Sequence, residues 1–150
     1  MAVQWTEELS TGVEEIDDQH KEMFKWTEGL LDACRQRRGR QVAGDVIRFL
    51  EEYAITHFAT EEKYMFEHGY AGFRDHQAEH IEFMKNLFRI KKQLEAEGPG
   101  VQVVVLTNIT VIDWLSRHIR KVDAAMGAFL KTKLSIKGGV HDEESSACCI

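Results

Sequence analysis

The chain has 150 residues, 43% of them hydrophobic, with 29% charged residues and a formal net charge of −6. That length and apolar content suffice for one domain with its own core, without disulfides or obligate assembly. The negative balance, with no basic stripe, argues against a nucleic-acid footprint.

No signal-like start and no apolar run long enough to span a bilayer occur, so a soluble cytoplasmic protein without membrane insertion is expected. Cys34 and the adjacent Cys148 and Cys149 do not form a paired framework of the secreted kind, which agrees with a reducing compartment.

In chain order, residues 1–15 read as an irregular arm that Trp5 packs onto the rest. Four segments of helical period follow, separated by glycine-bearing breaks and the only proline, Pro99. The first runs from about Ile16 to Arg37, with an apolar stripe of Ile16, Met23, Phe24, Leu30, Leu31 and Cys34 that also carries His20. The second, Gln41 to Glu67, places His57 and Glu61 on its stripe. The third, Phe73 to Glu97, carries His76 and His80. The fourth, Val101 to Leu134, opens with the β-branched "VQVVVL". A lone strand there would find no pairing partner, so the segment is read as helix. It carries His118 and Asp123.

Four such helices on short connections predict an all-α, up-down-up-down antiparallel four-helix bundle over residues 1–134. Residues 135–150 are small, polar and acidic and are expected to form a flexible tail. His68 and His141 fall outside the stripes and are expected in solvent. Glu62 and Glu67 are expected to be exposed helix residues, and Cys34 a small buried apolar group.

The polar residues on the inner stripes carry the chemistry. Residues four apart on a helix share one face, so His57 with Glu61, and His76 with His80, can each converge on one point. His118 and Asp123, five apart, diverge by roughly 140° on an ideal helix. Both face inward only if they flank the stripe or if the helix holds a π-bulge between them. Burying His20, His57, Glu61, His76, His80, His118 and Asp123 unpaired would be ruinous, and no cationic side chain recurs on these faces to neutralise the carboxylates. A metal centre supplies the missing charge.

Seven ligands exceed the needs of one ion. Two six-coordinate metals retain one open position once the imidazoles, two bridging carboxylates and a solvent-derived oxo or hydroxo bridge are placed, and the ligand types tilt the choice toward iron.

His20, "HFATE" (His57, Glu61), "HQAEH" (His76, His80) and "HIRKVD" (His118, Asp123) together closely resemble the hemerythrin pattern H, HxxxE, HxxxH, HxxxxD, in that order, across roughly residues 1–131. The resemblance is to single-domain bacterial hemerythrins. It implies a non-heme di-iron centre, oxo- or hydroxo-bridged, that binds dioxygen reversibly. His76, His80 and His118 would hold one iron, His20 and His57 the other, and Glu61 and Asp123 would bridge them.

Met23, Phe24, Phe58, Trp114, Leu115 and Ile119, next to these ligands, are candidates for an apolar oxygen pocket. The expected function is storage, transport or delivery of dioxygen by a monomer, with an oxygen-consuming enzyme as a further partner and no catalytic residue. A di-iron redox enzyme of peroxidase or nitric oxide reductase type, or a sensor, is the alternative. A ferritin-like oxidase is disfavoured, because no histidine here has a glutamate three residues before it.

Overall fold

The computed structural model describes residues 4–140, with side chains described to residue 135. After a short 3-10 turn at Glu7–Leu9 come four helices: α1 (Glu14–Arg35), α2 (Gly39–His68), α3 (Phe73–Glu97) and α4 (101–140). No strand occurs among the described residues, and "VQVVVL" is helical throughout.

Connections of only a few residues force consecutive helices to run antiparallel. The α2–α3 turn shows how the chain reverses. Gly69 takes the left-handed conformation at φ 69°, Tyr70 N–H donates to the Met65 carbonyl at 2.9 Å, and Gly69 N–H donates to the Phe66 carbonyl at 3.3 Å. α4 runs past Leu134 to Val140, so Gly138 and Gly139 lie within the helix rather than ending it.

α4 is also locally unwound. Two stretches, Asn108–Asp113 and Ile119–Asp123, are π-helical, although the residues flanking them keep right-handed helical dihedrals. Each π-turn takes one residue more than an α-turn and so rotates the face presented downstream.

The apolar stripes form two clusters. The larger gathers Met23, Leu30, Leu50, Phe58, Phe83, Leu87, Leu115 and Ile119 among others. The smaller gathers Val13, Ile16, Met65, Met126 and Leu130. On each helix the residues that separate the two clusters are those singled out for their chemistry: His20, Glu61, His76 with His80, and Asp123.

The N-terminal arm is pinned rather than loose. Buried Asp17 accepts from Thr11 N–H at 2.8 Å, Thr11 Oγ1 at 2.8 Å and Ser10 Oγ at 2.6 Å. Trp5 packs against the larger cluster, with its ring centroid 6.2 Å from that of His20. The arm crosses α4 at Gly127, where a Cβ would come within 2.7 Å of Thr11 Cα. Gly127→Ala is therefore expected to destabilise the protein by about 1–3 kcal/mol through overpacking, read as a lowered melting temperature, and an unchanged melt would show that the arm yields freely.

Cys148, Cys149 and His141 lie outside the described residues. No helix among the described residues is long and apolar enough to cross a membrane. Truncation after Val140 is expected to leave helicity and metal content unchanged, checked by circular dichroism and metal analysis. Loss of either would place a structural or binding role beyond that point.

Candidate metal centre

Each helix delivers its polar residues at the same level. α1 contributes His20, α2 His57 and Glu61 one turn apart, α3 His76 and His80 one turn apart, and α4 His118 and Asp123. The π-turn Ile119–Asp123 lets the last pair, five apart, point to one centre. His118 Nε2 lies 3.0 Å from Asp123 Oδ1. All seven side chains are no more than 2% exposed.

Their ligand atoms fall into two groups, each with all atoms within 4.8 Å of one another: Glu61, His76, His80, His118 and Asp123 in one, and His20, His57, Glu61 and Asp123 in the other. The carboxylates belong to both groups, and each divides its oxygens between them. Glu61 Oε1 lies 3.1 Å from both His20 Nε2 and His57 Nε2, whereas Oε2 lies 3.3 Å from His76 Nε2 and 3.0 Å from His80 Nε2. Asp123 Oδ2 lies 3.0 Å from His20 Nε2, and Oδ1 lies 3.0 Å from His76 Nε2. Each carboxylate thus stands between a group of three histidines and a group of two.

The electrostatics of these bare residues call for cations. Burial pushes His20 and His76 down, but the Asp123 and Glu61 carboxylates beside them outweigh it and raise them to about 10 and about 9. His118 is raised despite burial by Asp123, Glu61 and Glu79. Burial pushes Glu61 and Asp123 up, and for Asp123 the Glu61 charge adds to this. The surrounding imidazoles nevertheless hold both carboxyls well below the usual range. Protons drawn onto imidazoles stand in for a missing positive charge, and a metal competes for those same nitrogens.

Buried Glu61 Oε2, both Asp123 oxygens and the Nε2 atoms of His76, His80 and His118 crowd together at 3.0–3.3 Å without the alignment of hydrogen bonds. Such a concentration of orphaned donors and acceptors is costly unless an ion satisfies them together, so the residues fit a pair of cations.

Around the centre, residues read from the sequence as exposed or left unassigned turn out to hold the imidazoles. Glu62 is half-buried, not exposed, and its Oε1 accepts from His80 Nδ1 at 3.0 Å. Glu79 Oε2 accepts from His118 Nδ1 at 2.7 Å, and Gln19 Oε1 from His57 Nδ1 at 2.8 Å. Nothing in the local pattern marks these three, since each reaches its histidine across a helix–helix contact. Glu67 is exposed. His68 is half-buried and donates through Nδ1 to the Tyr64 carbonyl at 2.8 Å. Cys34 is only half-buried, beside Arg37, Arg40, Val101 and Val104.

All six candidate lining residues are buried in the larger cluster. Phe58 stacks on His80 with centroids 3.9 Å apart, and Trp114 stacks on His118 at 4.3 Å, so both cover the three-histidine side. Phe58 also meets His57 in a tilted contact at 5.6 Å. Met23, Phe24, Leu115 and Ile119 are buried in the same cluster.

Fold and site together define a helical bundle with a buried histidine–carboxylate centre for cations. A sequence model described as the hemerythrin HHE cation binding domain matches residues 11–130. The chain is 35% identical over 127 residues to the bacteriohemerythrin of Methylococcus capsulatus, covering 84% of this chain and 95% of that protein. It is 33% identical over 121 residues to that of Pseudomonas aeruginosa, covering 80% and 76%. The myohemerythrin of Sipunculus nudus is 26% identical over 119 residues, covering 79% and 86%. A crystal structure of a hemerythrin with a leucine-to-tyrosine substitution superposes with a TM-score of 0.73 at 35% identity, over 87% of this chain and 98% of that one. The chain belongs to the hemerythrin family.

Proposed function

We propose that the protein binds dioxygen reversibly at a non-heme di-iron centre and serves in its storage, transport or delivery. His76, His80 and His118 would hold one iron and His20 and His57 the other, with Glu61 and Asp123 bridging. The observation that carries this reading is the division of the two carboxylates between unequal halves: one half has an imidazole fewer, so its metal retains a free coordination position. Iron in both positions would supply the electrons that dioxygen borrows on binding and returns on release.

The chain's own residues keep that exchange reversible. Five imidazoles and two carboxylates fix the pair, while Met23, Phe24, Phe58, Trp114, Leu115 and Ile119 exclude water and proton donors.

The test is the optical spectrum of the reduced, iron-loaded protein before air, in air and after purging. A charge-transfer band that appears in air and vanishes on purging is expected of a carrier. Continuous oxygen consumption with a reductant would instead mark a redox enzyme.

A further inference from the structure

The five imidazoles differ in what their outward nitrogens meet. On the three-histidine half, His80 Nδ1 donates to Glu62 and His118 Nδ1 to Glu79, both carboxylates, while His76 Nδ1 has no hydrogen-bond partner. On the two-histidine half, His57 Nδ1 donates to the neutral amide of Gln19, and His20 Nδ1 has no hydrogen-bond partner. The acceptors are themselves held in place. Gln77 Nε2 donates to Glu62 Oε2 at 3.1 Å, leaving Oε1 for His80. Gln19 Nε2 donates to Thr60 Oγ1 at 3.2 Å, and Thr60 Oγ1 donates to the Thr56 carbonyl at 2.9 Å, which fixes the amide with its oxygen toward His57.

An imidazole whose outer N–H is shared with a carboxylate carries more negative charge than one bonded to an amide. It is therefore a stronger donor to a metal and favours the higher oxidation state. The carboxylates of Glu62 and Glu79 are 26% and 45% exposed, so their charge is sustained by water at little desolvation cost. The two halves thus differ by two anionic acceptors as well as by one imidazole.

We propose that Glu62 and Glu79 are positioning residues that lower the potential of the three-histidine metal, and that the neutral Gln19 keeps the open, two-histidine metal harder to oxidise. This rests on the di-iron reading. It separates the pair into an easily oxidised partner and one that stays reduced and receptive to ligand.

The experiment is an anaerobic, mediator-coupled redox titration of the iron-loaded protein, followed as two one-electron steps, with iron content measured on every sample. Glu62→Gln and Glu79→Gln preserve size and an acceptor oxygen. Each is expected to shift the lower-potential step about tenfold toward the reduced state, about 59 mV. Gln19→Glu adds a charge on the other half and is expected to shift the higher-potential step by a similar amount in the opposite direction. A residue that merely braces its histidine would not give opposite signs.

Potentials unchanged in all three variants at full iron content would overturn the proposal. So would a Gln19→Glu shift in the same direction as the other two. If a glutamine variant loses iron, Gln19→Glu decides alone: a lowered higher-potential step supports the proposal, and an unchanged or raised one overturns it. Wild-type protein with fewer than two irons would fail the di-iron reading itself, at the metal analysis and before any titration.

Discussion

Replacing His76 by alanine is expected to empty the centre and to cost the bundle much of its thermal stability. His76 Nε2 lies 3.0 Å from Asp123 Oδ1 and 3.3 Å from Glu61 Oε2, so it faces both carboxylates at once from the three-histidine half. Removing it takes away a metal ligand and, in the metal-free chain, a partner of two buried anions that repel one another. Breaking a buried ionic cluster from one side costs about 3–5 kcal/mol, which for a chain of this size means a fall in melting temperature on the order of 10 °C. Loss of the metal adds the binding energy that only the folded state enjoys. Metal analysis of protein from iron-replete cells should find two irons per wild-type chain and a large deficit in the variant. One zinc and no iron in the wild type would reject the assignment.

Leu115→Asn probes the wall rather than the ligands. Leu115 is 1% exposed, lies three residues before His118, and packs in the larger cluster with Ile119. If the bound gas is protected by exclusion of water, an amide at this position brings a hydrogen-bonding group, and water with it, toward the open coordination position. The variant is expected to retain both irons and to lose its oxygenated band in air roughly tenfold faster, whereas Leu115→Met, which conserves volume and polarity, should behave nearly as wild type. The buried amide should also cost about 1–3 kcal/mol, so decay is compared well below the melting temperature. Equal decay in Leu115→Asn and wild type, with iron retained, would make Leu115 ordinary core and move the guarding role to another residue.

What the sequence made legible follows from periodicity. His57 with Glu61, and His76 with His80, announce themselves because a four-residue spacing stacks side chains on one face whatever else the helix does. The helical reading of "VQVVVL" rests on the absence of any strand to pair with it, and the bundle agrees. His118 and Asp123 lay at the limit, since their spacing admits two solutions and only coordinates distinguish the π-turn from a widened stripe.

Glu62, Glu79 and Gln19 were out of reach for a different reason. Each meets its histidine 18, 39 and 38 residues away in the chain, from positions indistinguishable in pattern from solvated helix faces. Cys34 shows the converse: it sits on the apolar stripe and packs against the larger cluster, but near the end of α1, where a surface pocket shared with Arg37 and Arg40 leaves it half-exposed.

The layer of histidines and carboxylates between the two apolar clusters bears on how long the chain survives as well as on what it binds. Met65, Met126 and Leu130 below and Phe58, Phe83 and Leu115 above belong to separate apolar clusters, and the level between them is a layer of buried charge that a bound cation holds together more firmly than protons on the imidazoles do. A newly made chain without its metal is therefore weakest at its waist, where local opening exposes both cores to proteases. Metal supply would then govern the abundance of the protein by selective turnover, so that cells short of the metal retain few empty copies.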